Sequence, residues 1–290
     1  MTIKDALDRA KRLRQTRIDE ARDQAPAESP VMPAETHPRT IAAQTVRQPA
    51  AKFEPLRVVA ISADACERNR VLITDTQLRA MSQADAAYRL IRSRVQQRLK
   101  RNAWFSLGIA SPAPNDGKTV TTLNLAVSIA REKQRPVYVL DLDMRNPSIC
   151  NYLGLQDVRP LTEYFAGEAK PEDVLVQTSV SHLIVAGARS GVGGASEMLA
   201  GTRLEELLAH IRLRSPDAVV LIDLPPVNST DEALVVAPRV DAMLLVVSEG
   251  KTERQDLVRA LGTLSEFTVA GVVVNNSNDS QAVKYDQYSA

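Results

Sequence analysis

Apolar and polar residues alternate along this chain in two distinct rhythms. Six short runs are almost wholly apolar: Phe105–Ala110, Val137–Leu142, His182–Ala186, Ala218–Ile222, Ala242–Val247 and Ala270–Asn275. Runs of that length and composition predict strands buried on both faces. Between them, apolar residues recur at helical spacing and predict helices over Lys118–Arg131, Ser196–Arg214, Thr230–Val236 and Thr252–Leu264. A further helical stretch, Ala84–Lys100, is rich in arginine and precedes the first run. Strands alternating with helices predict an α/β fold, with a mostly parallel buried sheet flanked by helices on both faces.

The flanks have a different character. Residues 1–24 predict an amphipathic helix, with Ile3, Ala6, Leu7, Ala10, Leu13 and Ile18 on one stripe among charges. That stripe suits either a docking helix for a partner or a short solvated helix. Residues 25–56 carry Pro26, Pro30, Pro33, Pro38, Pro49 and Pro55 and read as a disordered linker. The folded domain is expected over 57–275, followed by a loose polar tail over 276–290 that contains Tyr285 and Tyr288.

Composition narrows the function classes. The 290 residues include 36 Lys+Arg and 35 Asp+Glu, a net charge of +1, which argues against a nucleic-acid-coating role. Cys66 and Cys150 are far apart and form no disulfide framework, so a reducing, cytoplasmic setting is expected. His37, His182 and His210 are isolated from one another, which leaves no zinc-ligand pattern. The run Ala242–Val247 is far short of the roughly 20 residues of a spanning helix. Met1–Glu20 has no apolar core of a secretory leader. A cytoplasmic protein is the expectation, brought to the inner face of the membrane only by something else.

The chemistry concentrates in three segments. Ser111-Pro112-Ala113-Pro114-Asn115-Asp116-Gly117-Lys118-Thr119 follows a predicted strand and opens a predicted helix, the setting of a Walker A phosphate loop. Backbone amides there point at anionic oxygens, Lys118 reaches the outer phosphates, and the Thr119 hydroxyl suits Mg²⁺. Pro112 stands where the pattern has its first glycine, and Asn115 where a second is common; asparagine tolerates the left-handed conformation better than most residues. The second segment, Val137–Arg145, is an apolar strand ending in Asp141 and Asp143, whose i, i+2 spacing aims both carboxylates the same way. Such a pair beside a phosphate loop suits cation binding and activation of a hydroxyl. The third, Val219–Pro226, is an apolar strand ending in Asp223, an arrangement that holds Mg²⁺ in phosphate-loop enzymes.

Together, Ser111–Thr119, Asp141-Leu142-Asp143-Met144-Arg145 and Asp223-Leu224-Pro225-Pro226 resemble the bacterial tyrosine kinases that control polysaccharide polymerisation and export, P-loop NTPases related to ParA- and MinD-type ATPases. The resemblance covers roughly residues 66–275. It implies an ATP-dependent tyrosine autokinase, with ATP and Mg²⁺ bound by Pro114, Asn115, Asp116, Gly117, Lys118, Thr119 and Val120. It further implies that Asp141 or Asp143 activates a tyrosine hydroxyl and that Asp223 organises Mg²⁺ together with Thr119 and Asp141. Arg145 is implied at a subunit contact or on phosphate, and Asn275 near the base. Arg89 and Arg92 match the two arginines of the family's ring-forming helix, with Ala86 in place of its glutamate. They imply a homo-oligomer contact. Tyr285 and Tyr288 are the implied phosphoacceptors, and a membrane polysaccharide co-polymerase is the implied activator in trans.

Two alternatives stay open: a ParA/MinD-like switch ATPase, and an ATP-binding regulator that phosphorylates nothing. Ala113 stands where the switch ATPases usually carry a signature lysine. A GTPase is disfavoured, because Asn275-Asn276-Ser277-Asn278 lacks the lysine of the guanine-reading motif.

Overall fold

The computed structural model describes residues 53–73, 82–188 and 194–277. The N-terminal helix, most of the linker, and the tail with Tyr285 and Tyr288 lie outside the described residues. The described strands are β1 (Arg57–Val59), β2 (Ser106–Ala110), β3 (Val137–Asp141), β4 (Val176–Thr178), β5 (Leu183–Ala186), β6 (Val219–Asp223), β7 (Ala242–Ser248) and β8 (Val269–Asn275). They form one sheet in the order β1-β4-β5-β3-β6-β2-β7-β8. Every neighbouring pair is parallel except β4 with β5, which run antiparallel. The mostly parallel sheet expected from the apolar runs is therefore present.

Both faces of the sheet are covered, which is why its strands read as continuous apolar runs rather than alternating ones. In β3, Val137 and Val139 point into one apolar layer while Tyr138 and Leu140 point into the other. The first of these layers is closed by α2 (Ser82–Asn102) through Val95 and Leu99, and by α3 (Lys118–Ala130) through Leu123, Val127 and Ile129. The second is closed by α8 (Arg203–Arg214), whose Leu204, Leu207, Leu208 and Ile211 follow the i, i+3, i+4, i+7 stripe. Each fully buried leucine or valine contributes about 1.5–3 kcal/mol, so these layers fix the strand order that the site depends on.

The remaining described helices are α1 (Ala63–Arg68), α4 (Ile149–Leu153), α5 (Leu161–Ala166), α6 (Pro171–Val174), α7 (Ala195–Ala200), α9 (Glu232–Val236) and α10 (Arg254–Thr263). Where the elements differ from the sequence reading, local chemistry explains it. The helix expected over Ser196–Arg214 is two helices, α7 and α8, because Gly201 leaves the first in an extended conformation and Thr202 begins the second. The strand expected from His182 begins at Leu183, since His182 adopts φ 66, outside the β region. Strands β1 and β4 are three residues long, too short to show a period. Two residues ahead of position 57 also pack on this body: the Phe53 ring meets His210 edge-on at 5.2 Å, and Leu56 packs on the apolar layer under α8.

Candidate functional site: a phosphate loop ringed by buried carboxylates

Strands β3, β6 and β2 are adjacent, so the loops leaving their carboxyl ends share one crevice, the usual ligand position of a parallel sheet. The loop after β2 runs into α3. Gly117 is the N-cap residue at φ 93, and no side chain caps the helix, so its first-turn amides are left for an anion. Gly117 is required twice over: its φ is left-handed, and a Cβ there would fall on the Asn275 side-chain amide. Asn115 adopts φ 62, the left-handed conformation its residue type tolerates. Asp116 is buried; one carboxylate oxygen accepts the Ala113 amide at 3.1 Å, while the other meets no donor among the described residues.

Lys118 lies beneath this loop among acids. Its Nζ is 2.7 Å from Asp143 and 3.5 Å from Asp223. The Thr119 hydroxyl donates to Asp223 Oδ2 at 2.6 Å, and the Thr122 hydroxyl donates to Asp223 Oδ1 at 3.3 Å. Asp141 plays a different part. Its Oδ2 accepts the amides of Ser148 and Ile149 at 3.0 and 3.1 Å, and its Oδ1 accepts the Asp143 amide at 3.3 Å. The segment from Asp143 to Ile149 is thus folded around one carboxylate, and Ser148 Oγ comes within 3.3 Å of Thr119 Oγ1.

The electrostatics follow from this crowding. Burial disfavours the Lys118 ammonium, but Asp223, Asp143 and Asp141 more than offset that and raise its pKa above the ordinary lysine value. Burial, reinforced by the Asp223 charge, pushes the Asp141 carboxyl up to about 8 despite its amide donors. Burial also raises Asp223, against the pull of Lys118 and Thr119. Three buried carboxylates therefore face one ammonium.

A Mg²⁺ ion with nucleotide phosphates fits that environment. The donors are all oxygen, the excess charge is negative, and amides wait at the loop. Among the described residues no three His, Cys, Asp or Glu side chains converge on one cation position.

Other residues singled out in the sequence lie at varying distance from this centre. Asn275 reaches the phosphate loop itself, donating from Nδ2 to the Asp116 carbonyl at 3.0 Å. Arg145 sits at the rim, its Nε 2.5 Å from Glu232 Oε1. Arg89 and Arg92 lie away from the crevice on α2: Arg89 pairs with Asp85 at 2.5 Å, and Arg92 with Glu132, in the turn after α3, at 3.0 Å. Thr122, Ser148, Glu232 and Lys251 belong to the site or its rim without having been read as such. For Thr122 a signal existed, since position i+3 from Thr119 shares its helix face. Glu232 carried none, because a buried glutamate is visible only once its burial is known.

Comparison with known proteins agrees with this geometry. A family model, ParA, described as a NUBPL iron-transfer P-loop NTPase, matches residues 107–284, and the chain belongs to this ParA-type P-loop NTPase family. Within that class, the chain is 26% identical over 224 residues to tyrosine-protein kinase YwqD of Bacillus subtilis (strain 168), spanning 77% of this chain and 92% of that protein. The kinase domain of Escherichia coli tyrosine kinase ETK shares the fold, with TM-score 0.64 and 23% identity over 76% of this chain and 88% of that one. The septum site-determining protein MinD from Pyrococcus horikoshii OT3, solved with Mg-ADP, shares it with TM-score 0.51 and 22% identity, covering 62% and 76% of the two chains. The resemblance read from the three motifs is matched by the relatives' own names.

Proposed function

We propose that this chain is an ATP-dependent protein-tyrosine autokinase that regulates polysaccharide polymerisation and export. The observation that carries the proposal is the second carboxylate of the strand-end pair: Asp143, buried, 2.7 Å from the phosphate-loop lysine. A nucleotide switch needs a carboxylate for the metal, which Asp223 supplies through Thr119. A phosphotransferase also needs one to receive the acceptor's proton.

In this reading ATP is the substrate, seated on the loop from Pro114 to Val120 through the amides of Asn115 to Val120, with Lys118 on its outer phosphates. Thr119 and Asp223 would hold Mg²⁺, with Asp141 behind them. When bound, the ion would neutralise charge on the phosphoryl oxygens. The acceptor tyrosine oxygen attacks the γ-phosphorus, the bond to the β–γ bridging oxygen breaks, and ADP leaves. Asp143 takes the phenolic proton. Asp141 is less suited to that step, because it accepts three backbone amides, those of Asp143, Ser148 and Ile149, where Asp143 accepts one, that of Asn146, beside the Lys118 ammonium. Positioning and charge neutralisation supply most of the rate enhancement. Tyr285 and Tyr288 are the proposed acceptors.

Arg89 and Arg92 are the proposed homo-oligomer contact. Activation is proposed in trans, by the cytosolic tail of a membrane polysaccharide co-polymerase, which would place the protein at the inner face of the membrane. Among the described residues no helix is long and apolar enough to cross a membrane.

The test is incubation with Mg-ATP, with and without that tail peptide, beside a Lys118→Met control. Phosphate is read by intact mass and located by peptide mapping. Phosphate on Tyr285 or Tyr288 in the wild type alone supports the autokinase. ADP release with no protein phosphate instead supports the second reading, a switch ATPase, which membership of the ParA-type family favours.

A further inference from the structure

A loop that cradles phosphate turns its amides inward and its carbonyls outward. Here the outward carbonyls of three consecutive residues are each met by a side-chain donor from a distant strand end. Lys251 Nζ lies 2.9 Å from the Asn115 carbonyl and 3.4 Å from that of Pro114. Asn275 Nδ2 holds the Asp116 carbonyl at 3.0 Å. Asn115 is the residue that stands in a glycine's place with φ 62, a conformation that costs a side-chain-bearing residue energy.

Lys251 is itself held in place. It sits in the turn after β7, where Gly250 takes φ 71 and the amides of Lys251 and Thr252 donate to the Ser248 carbonyl at 3.2 and 2.9 Å. The Ser248 amide donates to Thr252 Oγ1 at 2.7 Å, and the Glu249 amide to the Asn275 carbonyl at 2.9 Å. The two donors that grip the loop are thus tied to each other through the ends of β7 and β8.

We propose that Lys251 is a positioning residue for nucleotide binding: its ammonium clamps the Asn115 carbonyl outward and so keeps the loop amides preorganised at a position where the chain lacks a glycine. The proposal rests on the reading that this loop binds Mg-ATP. It makes Lys251 and Asn115 an energetic pair, and it separates their contribution from the charge chemistry of Lys118 and the carboxylates.

The experiment uses the full chain as wild type, Lys251→Met, Lys251→Arg, Asn115→Gly and the Lys251→Met/Asn115→Gly double variant. Mg-ATP is titrated into each by calorimetry, and backbone hydrogen exchange of residues 113–117 is followed without nucleotide. Losing one charge-assisted hydrogen bond at an exposed site should weaken Mg-ATP binding about three- to tenfold in Lys251→Met. The effect should appear in KM for ATP, with kcat at saturating ATP changed by less than about twofold. Lys251→Arg should restore binding, because the guanidinium can reach both carbonyls. In the Asn115→Gly background the Lys251→Met effect should shrink below about twofold, since glycine takes the left-handed conformation unaided. Exchange over 113–117 should quicken in Lys251→Met alone.

Unchanged affinity and unchanged exchange in Lys251→Met would overturn the clamp, as would an equal weakening in both backgrounds. A wild-type chain that binds no Mg-ATP would overturn the nucleotide reading instead, and the exchange comparison, which needs no nucleotide, would still decide the clamp.

Discussion

Two charged clusters in this protein look alike in the sequence and differ entirely in the structure. At the carboxyl ends of β2, β3 and β6, Lys118 sits buried among Asp141, Asp143 and Asp223. On α2, Arg89 and Arg92 pair with Asp85 and Glu132 at the surface end of the helix layer. Arg131 joins the α2 cluster at 3.7 Å from Asp85, and the cluster touches solvent, so each pair is worth about 0–1 kcal/mol. The strand-end cluster has three acids to one base in a place water barely reaches, so its charges are strongly coupled and its proton affinities displaced. Burial, not the presence of charge, marks the place where chemistry can be done.

The contrast can be tested by removing its members in turn. Asp143→Asn should cost the most, lowering autophosphorylation about 10²- to 10⁴-fold, the range of a general base, with the melting temperature little changed. If steady-state rates fall less than tenfold, Asp143 is not the proton acceptor. Lys118→Met should lower the rate about 10²- to 10³-fold. It should also destabilise the nucleotide-free chain by about 3–5 kcal/mol, because it strands buried carboxylates; denaturant unfolding reads that directly.

The nucleotide-free protein should also lose stability as pH rises. Asp141 is raised from 3.8 to about 8, so the folded chain binds its proton more tightly than the unfolded chain does. The associated stability is fully present below the ordinary carboxylate range and is lost as pH climbs through about 8. Asp223, raised in the same direction, adds to that trend. Melting curves from pH 5 to pH 9 should therefore fall, and Asp223→Asn should flatten the fall, since the Thr119 and Thr122 hydroxyls can turn to meet an amide. A melting temperature that rises over the same span would contradict the assigned crowding.

The smallest effects belong to α2. Arg92→Ala should cost about 1 kcal/mol, because Arg92 also donates to the Ser128 carbonyl at 3.0 Å and is mostly buried. Arg89→Ala, an exposed i, i+4 pair, should cost about 0.3–0.5 kcal/mol. A larger loss for Arg89 that depends on protein concentration would point to the homo-oligomer contact proposed above.

Much of this was legible in the sequence because it is local. The buried strands announce themselves as apolar runs, and β2 to α3 is recognisable from nine consecutive residues, Ser111 to Thr119. Asp141, Asp143 and Asp223 could be read as site residues because each ends such a run. The short strands β1 and β4 could not be seen, since three residues carry no period and their pairing depends on partners more than a hundred positions away. The antiparallel β4–β5 pairing was hidden by the shortness of β4 alone, since its partner residues follow closely in the chain.

By itself, then, the sequence determined the α/β class, the phosphate loop and the acids that face it, since each is encoded within a strand and the turn that follows. The tertiary structure alone decided how those groups sum. Only packing brings Asp223 onto Thr119, 104 positions earlier, and Lys251 onto Asn115, 136 positions earlier. Only packing removes the water that would otherwise screen three carboxylates from one another.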